Sequence, residues 1–279
     1  MPLSIINKVI TLISSGKVWQ QDDLVAVEEP VELRLFYMDN NIPVEKPISI
    51  TMRTPGNDFE LAAGFILTEG IINNCSDIDY ISYCIRTDKE TENNIVKIVL
   101  KKEATVNINQ AERNFFINGS CGICGKASIN AIQQQSKFTS NYALKISHQQ
   151  IKQYMRQMQS EQINFKYTGG IHACALFNQE GKMLIVREDI GRHNALDKLI
   201  GYYVLRNELP LQNNILLLSG RISFELVQKA VMAGISIVIG VGAPSSLAID
   251  TAHQTGLTLI GFLKENSMNI YTHPERIDV

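Results

Sequence analysis

Apolar and polar positions alternate along VELRLFYM (Val31 to Met38) and again along PISITMRT (Pro47 to Thr54), with the polar turn DNN between them and a Pro-Gly break after. A period of two on both sides of a turn predicts a strand pair. The period then changes. Asn57 or Asp58 stands where a helix cap belongs, and Phe59, Ala62, Ala63, Ile66 and Leu67 recur at helical spacing through FELAAGFILTEG, which closes at Gly70. YISYCIR and NIVKIVLKK read as two further strands, parted by the polar TDKETENN. Periodicity fades from Lys101 to Ser120 and returns at ASINAIQQQ, a helix start.

Beyond it, Ser147 caps a polar helix, HQQIKQYMRQMQ, whose Ile151, Tyr154, Met155 and Met158 share one side and which reads as a connection between two lobes. From Thr168 the pattern becomes compact. A hairpin runs from IHACALF through NQEG to KMLIVRED, followed by a helix over NALDKLIGYYVLRN. Then come ILLLSG, SFELVQKAVMAG, SIVIGVGA, SSLAIDTAHQTG and LTLIGFLK, apolar strands in alternation with helices of about ten residues. Such strands predict a largely parallel sheet covered on both faces. The chain therefore divides into an α+β region over residues 1–140 and an α/β domain over 141–279.

Composition narrows the setting. The 279 residues are 45% apolar and 19% charged with a net charge of −2, so the chain is globular and carries no electrostatic footprint for nucleic acid. Its one N-terminal apolar run is interrupted by Asn7 and Lys8 and is too short to span a bilayer, which points to the cytoplasm and to no membrane partner. Five cysteines are an odd and sparse set for a disulfide framework.

Two of them, Cys121 and Cys124, stand in NGSCGICGK. This spacing serves zinc, iron–sulfur, thiol–disulfide and sulfur-carrying chemistry alike. Cys75, Cys84 and Cys174 are isolated, so a second ligand pair for zinc or an iron–sulfur cluster within one chain is missing. A zinc deaminase needs H-x-E before its cysteine pair, whereas His172-Ala173-Cys174 has Cys in the Glu position and comes after the pair. A thioredoxin-like couple belongs near a domain start, not some 120 residues in. Gly119, Gly122 and Gly125 leave the backbone free and the sulfur accessible, and Lys126 favours the thiolate.

Three further segments carry anion-binding chemistry or plain turn chemistry. REDIGRHNALDK gathers Arg187, Arg192, His193 and Lys198 with Glu188, Asp189 and Asp197 between a strand and a helix, where ligands of α/β sheets bind. SGRISFELVQKA and GVGAPSSLAI place small residues and hydroxyls at strand ends, yet match no nucleotide fingerprint, and capping by Ser223 and by Ser245 or Ser246 explains much of them. GFLKENS follows the last apolar strand and is a rim loop or a simple turn. His172, His253 and His273 lack ligand spacing and read as structural.

FELAAGFILTEGII, SCGICG, TGGIHACALF, REDIGRHNALDKLIG, SGRISFELVQKA, APSSLA, LTLIGFLK and IYTHPER, in this order from about Glu28 to the end, together resemble the formate dehydrogenase accessory protein family, the FdhD sulfurtransferases. The resemblance implies a cytidine deaminase-like three-layer α/β/α sheet without its zinc site, beside a smaller N-terminal α+β region, and a homodimer. It implies that sulfur comes from a cysteine desulfurase, rests on a cysteine as persulfide, and passes to the molybdenum cofactor, bis-molybdopterin guanine dinucleotide, for formate dehydrogenase. Cys121 would carry the sulfur and Cys124 would assist. The loop Phe262, Leu263, Lys264, Glu265, Asn266 and Ser267 would contact the guanine nucleotide part, with Arg187, Asp189, Arg192 and His193 as a second contact. Cys174 stands where relatives have alanine and receives no catalytic role. A redox or zinc-binding regulatory module, and a pure cofactor chaperone, are the competing readings.

Overall fold

The computed structural model describes residues 3–84, 93–107 and 136–278. Cys121, Cys124 and the helix expected from Ala127 lie outside the described residues. The chain starts with an antiparallel ribbon, β1 (Ile5–Ser14) and β2 (Lys17–Ala26), turning at Ser15 and Gly16. No strand is predicted here, because IINKVITLI lacks the alternation that a strand lying on a core displays.

The predicted strand pair forms as β3 (Glu29–Asp39) and β4 (Ile42–Arg53). Asn40 and Asn41 both take positive φ, the conformation that a two-residue hairpin turn demands. With β5 (Ile78–Tyr83) and β6 (Ile95–Leu100) they make a sheet in the order β4-β3-β6-β5. Val31, Leu33, Leu35, Val96 and Ile98 are buried from it against α1 (Asp58–Thr68). Asn57 occupies the cap position of α1 without a side-chain cap bond. The carboxylate of Asp58 instead binds Arg53, at 3.1 Å from Nε and 3.0 Å from Nη2, with both side chains fully buried. Tyr83 donates its hydroxyl to the same carboxylate at 3.1 Å, and Arg53 also reaches Asn94, so one guanidinium joins β4, α1 and the start of β6.

The larger sheet has the order β13-β12-β11-β10-β8-β9. Its strands are β8 (His172–Phe177), β9 (Met183–Asp189), β10 (Ile215–Leu218), β11 (Ile237–Gly240), β12 (Thr258–Gly261) and β13 (Asn269–Thr272). β9, β10, β11 and β12 point one way, whereas β8, set between β9 and β10, and β13 at the edge beside β12 point the other. Four of the six strands thus share a direction, and the β8–β9 hairpin is the one expected from IHACALF and KMLIVRED, but the unpredicted β13 returns antiparallel through a short connection, so the sheet is mixed. The α/β class is as expected. A small parallel pair, β7 (Ile146–Ser147) and β14 (Ile277–Asp278), lies apart.

Both faces of this sheet are covered. Cys174, Leu176, Leu216, Leu218, Val238 and Leu259 point towards α1, α4 (Arg192–Val204), α5 (Phe224–Met232) and α6 (Ser246–Thr255). Ala175, Phe177, Leu217 and Ile239 point to the other side, where α2 (His148–Glu161) contributes Ile151, Tyr154 and Met158. Ser147 caps α2 reciprocally with Gln150, and Tyr154 stacks on Phe177 with ring centroids 4.2 Å apart. The polar helix thus lies on the sheet by the apolar stripe read from its sequence. A short helix, α3 (Ile163–Thr168), follows it.

The helix α1 is enclosed between the smaller sheet and α4, which explains why Leu61 and Gly64 are buried together with Ala62, Ala63, Ile66 and Leu67 of the predicted stripe, while Phe59 is only partly buried. Contact with α4 is made through glycine on each side. A Cβ on Gly64 would overlap the carbonyl of Asp197, and one on Gly201 would overlap the carbonyl of Glu60 and sit 2.8 Å from the amide nitrogen of Gly64. Buried ion pairs flank this crossing. Lys198 Nζ lies 2.7 Å from Asp189, and Lys229 Nζ lies 3.0 Å from Asp197 and 2.6 Å from Glu69. Removing one partner strands a buried charge, so Lys198→Met is expected to cost about 3–5 kcal/mol in urea unfolding. A loss below about 1 kcal/mol would mean that Asp189 is not held as an anion by this pair.

Candidate functional site

The carboxyl ends of β10, β11 and β12 open into three loops laced together by backbone hydrogen bonds. The Gly242 amide donates to the Gly220 carbonyl (3.0 Å), Ile222 to Ala243 (3.0 Å), Phe262 to Gly242 (3.1 Å) and Leu263 to Gly240 (3.1 Å). The amino end of β8 and the carboxyl end of β9 meet the same edge, since Leu218 pairs with Cys174 and His172 with Asp189. The helices α4, α5 and α6 begin here, with unpaired backbone N–H groups that favour negative charge. This is the rim where open α/β sheets bind ligands.

Arg192 opens α4, and its Nε is buried without a hydrogen-bond partner among the described residues. His193 Nε2 lies 3.2 Å from Ser223 Oγ and 3.7 Å from Glu225, tying the start of α4 to the start of α5. Ser223 holds the cap position of α5 but makes no cap bond, whereas Ser245 accepts the Ala248 amide and caps α6. His172 stands beside Gly220, and burial together with the charges of Arg192, His193 and Arg221 lowers its pKa. His172 is therefore neutral at pH 7 and acquires charge only below the ordinary value of about 6.5. A group depressed in this way adds to stability above its unfolded pKa and withdraws it as pH falls. Its ring resonances are expected to titrate below that value in NMR, and Arg192→Gln to move the midpoint upward; an unmoved midpoint would separate Arg192 from His172.

Arg187 and Asp189 are engaged within the fold. Arg187 forms a two-pronged pair with Glu60 on α1, at 2.5 and 2.8 Å. Asp189 is fully buried and takes Lys198, the Thr54 amide at 3.2 Å and the Gly191 amide at 2.8 Å. Both fix the turn into α4 and so aim Arg192 and His193. Burial pushes the Cys174 thiol up, so it stays protonated at neutral pH.

The loop 262–267 leaves the same rim in another direction. Phe262 is half exposed at φ 53, in the left-handed region, and Leu263 is buried beneath it. The Lys264 amide donates to the Ser267 carbonyl at 2.8 Å. Glu265 pairs with Arg156 of α2, and Glu265 and Asn266 border a shallow depression of about 240 Å³ with Gln149, Lys152 and Gln153. The predicted contacts thus fall into two places, Arg192 and His193 at the helix starts and Glu265 and Asn266 against α2.

Between α2 and the rim lies a cleft of about 480 Å³, lined by Met155, Met158, Gln162, Phe165, His172, Ser219 and Val241. Its walls combine thioether, phenyl and aliphatic groups with the amides of Gln159 and Gln162, and His172 and Ser219 add further polar groups, a form suited to a flat ring with polar edges. The sequence reading missed this site. His172 reads as structural, and Met155 and Met158 as one side of a polar connecting helix, because only the fold brings them to one cavity. Among the described residues no three His, Cys, Asp or Glu side chains are grouped to hold a metal, and no helix is long and apolar enough to cross a membrane.

Comparison with known proteins matches residues 26–278 to the model of the FdhD/NarQ family. A relative named sulfur carrier protein FdhD from Mycolicibacterium paratuberculosis is 43% identical over 271 residues, covering 96% of this chain and 97% of its own. One of the same name from Saccharolobus solfataricus is 40% identical over 270 residues, covering 95% of each. A crystal structure described as a formate dehydrogenase accessory protein from Desulfotalea psychrophila superposes with a TM-score of 0.75 at 23% identity, over 99% of this chain and 100% of that one, and shares the fold. Matched along nearly its whole length by both the family model and these relatives, the chain belongs to the FdhD/NarQ family.

Proposed function

We propose that this protein is a cytoplasmic sulfur carrier that accepts sulfur from a cysteine desulfurase and delivers it to bis-molybdopterin guanine dinucleotide for formate dehydrogenase. The observation that carries the proposal is Cys121-x-x-Cys124 within a chain aligned almost end to end with relatives named sulfur carrier protein. The Cys121 thiolate attacks the terminal sulfur of the donor's persulfide. One S–S bond forms at Cys121 as the donor's breaks, and the desulfurase cysteine leaves as thiolate, so the sulfur moves without an outside oxidant. For discharge, the Cys124 thiolate attacks Cys121 Sγ and expels hydrosulfide to the acceptor. The Cys121–Cys124 disulfide left behind is reduced by a cellular dithiol before the next cycle.

The acceptor is a multiply anionic dinucleotide, and the rim suits its charge: Arg192 Nε has no partner among the described residues, three helices begin there, and Arg221 stands nearby. The cleft of about 480 Å³ would hold a flat ring, and Phe262 to Ser267 would border the guanine nucleotide, with Arg187 and Asp189 positioning the α4 turn. The resemblance of the layered sheet to cytidine deaminases, the division near residue 140 and a homodimeric state are parts of the same reading. Isothermal titration with GDP tests the acceptor site. Binding that weakens at least about tenfold in Arg192→Gln supports it, and binding unchanged by that substitution removes Arg192 from the site.

A further inference from the structure

Among the described residues, the ribbon of β1 and β2 is hydrogen-bonded to the rest of the chain at its base. There the Val27 amide donates to the Ser4 carbonyl (2.9 Å), Ser4 Oγ donates to Asn164 (3.1 Å), and β2 packs on α3. No side chain of either strand joins the two buried cores. Yet the register puts Val9, Ile13 and Val18 on one face of the ribbon and Ile10, Leu12 and Trp19 on the other. Val9 is 69% exposed, Ile13 70%, Val18 64% and Trp19 42%. A two-stranded ribbon is marginal in water by itself, and one with apolar side chains on both faces calls for cover. Beside its base, α3 exposes Ile163, Phe165 and Tyr167.

We infer that the ribbon and α3 form the surface through which this chain binds a second copy of itself. The inference rests on the dimeric state proposed above and assigns its interface. Three features select a second copy. Seven large apolar side chains of ribbon and α3 (Val9, Ile13, Val18, Trp19, Ile163, Phe165 and Tyr167) stand largely in water, enough to supply the core of a standard interface of about 800 Å² per partner. Trp, Phe and Tyr are residue types that anchor interfaces. The ribbon's charges cancel, Lys8 and Lys17 against Asp22 and Asp23. A twofold contact sets a patch against itself, which a patch of zero net charge tolerates, whereas an anionic membrane or an acidic partner selects a basic one. Phe165 also lines the cleft beside His172, so the second copy would border the proposed acceptor site.

The test uses Trp19, the one tryptophan in the chain, as its own reporter. Sedimentation of the full-length protein is expected to show a dimer at micromolar concentration, with blue-shifted Trp19 emission that moves red on dilution in step with dissociation. Ile13→Glu combined with Val18→Lys keeps an opposite-charge pair directly across the ribbon while removing its apolar face. It should weaken association at least about a hundredfold and shift the emission red, with far-ultraviolet circular dichroism unchanged. Tyr167→Arg on α3 gives an independent second variant with the same expected weakening. A dimer whose dissociation constant stays within about twofold in both variants overturns the interface and leaves the dimeric state standing. A monomeric wild type overturns both, as does one whose Trp19 emission turns blue only with anionic vesicles.

Discussion

Gly201→Ala is expected to leave no stably folded protein. A single added methyl group would overlap the carbonyl oxygen of Glu60 at the crossing of α1 and α4. Overpacking a core commonly costs about 1–3 kcal/mol because side chains can shift rotamer. Here the obstacle is the backbone of a buried helix, so relief requires moving α1 against the smaller sheet. Displacing it would also disturb the pairs of Arg187 with Glu60 and of Lys229 with Glu69. A loss above about 3 kcal/mol is a large share of the roughly 5–15 kcal/mol that holds a domain together. Soluble yield and urea unfolding are the measurements. Gly170→Ala is the control, since its Cβ would meet nothing closer than 3.8 Å. A Gly201→Ala protein that unfolds within about 1 kcal/mol of wild type would show that the helices are not packed this closely.

Cys121→Ala is expected to abolish sulfur acceptance and, with it, activation of formate dehydrogenase, while leaving the fold intact. Two of the remaining cysteines are poorly placed to take over the nucleophile's task. Cys174 is buried with its thiol pushed up, and burial likewise raises the Cys75 thiol, so neither offers an accessible thiolate at neutral pH. Cys124→Ala is expected to load sulfur as wild type does and to discharge it slowly, because the attack on Cys121 Sγ is lost. If Cys124→Ala transfers sulfur at the full rate, the acceptor takes the persulfide sulfur directly and the disulfide step is unnecessary. If Cys121→Ala still loads sulfur and Cys124→Ala does not, the two roles are exchanged.

The elements that rest on a core were legible from their pattern. The alternation of VELRLFYM and PISITMRT became β3 and β4, and Ile151, Tyr154 and Met158 became the buried stripe of α2. Periodicity reports which side of an element is buried, and these elements each bury a definite side. The ribbon of β1 and β2 was missed for the converse reason, since both its faces carry apolar residues and neither meets a core. The antiparallel edge strand β13 was also missed, because its NIYT alternates too briefly to register. At the site, REDIGRH drew attention through charge density, yet charge alone does not tell an internal pair from an open one. Arg187 and Asp189 are bound inside, while Arg192 keeps a nitrogen without a partner among the described residues. The cleft was invisible in sequence because Phe165, His172, Ser219 and Val241 come from four separate segments.

Intact-mass spectrometry after incubation with a cysteine desulfurase and cysteine tests the sulfur-carrier reading most directly. The wild type and Cys124→Ala should each gain the mass of one sulfur, removable by a thiol reductant, and Cys121→Ala should gain none. No gain in any of the three proteins, with the desulfurase active, would contradict the account and leave a redox or metal-binding role for the cysteine pair.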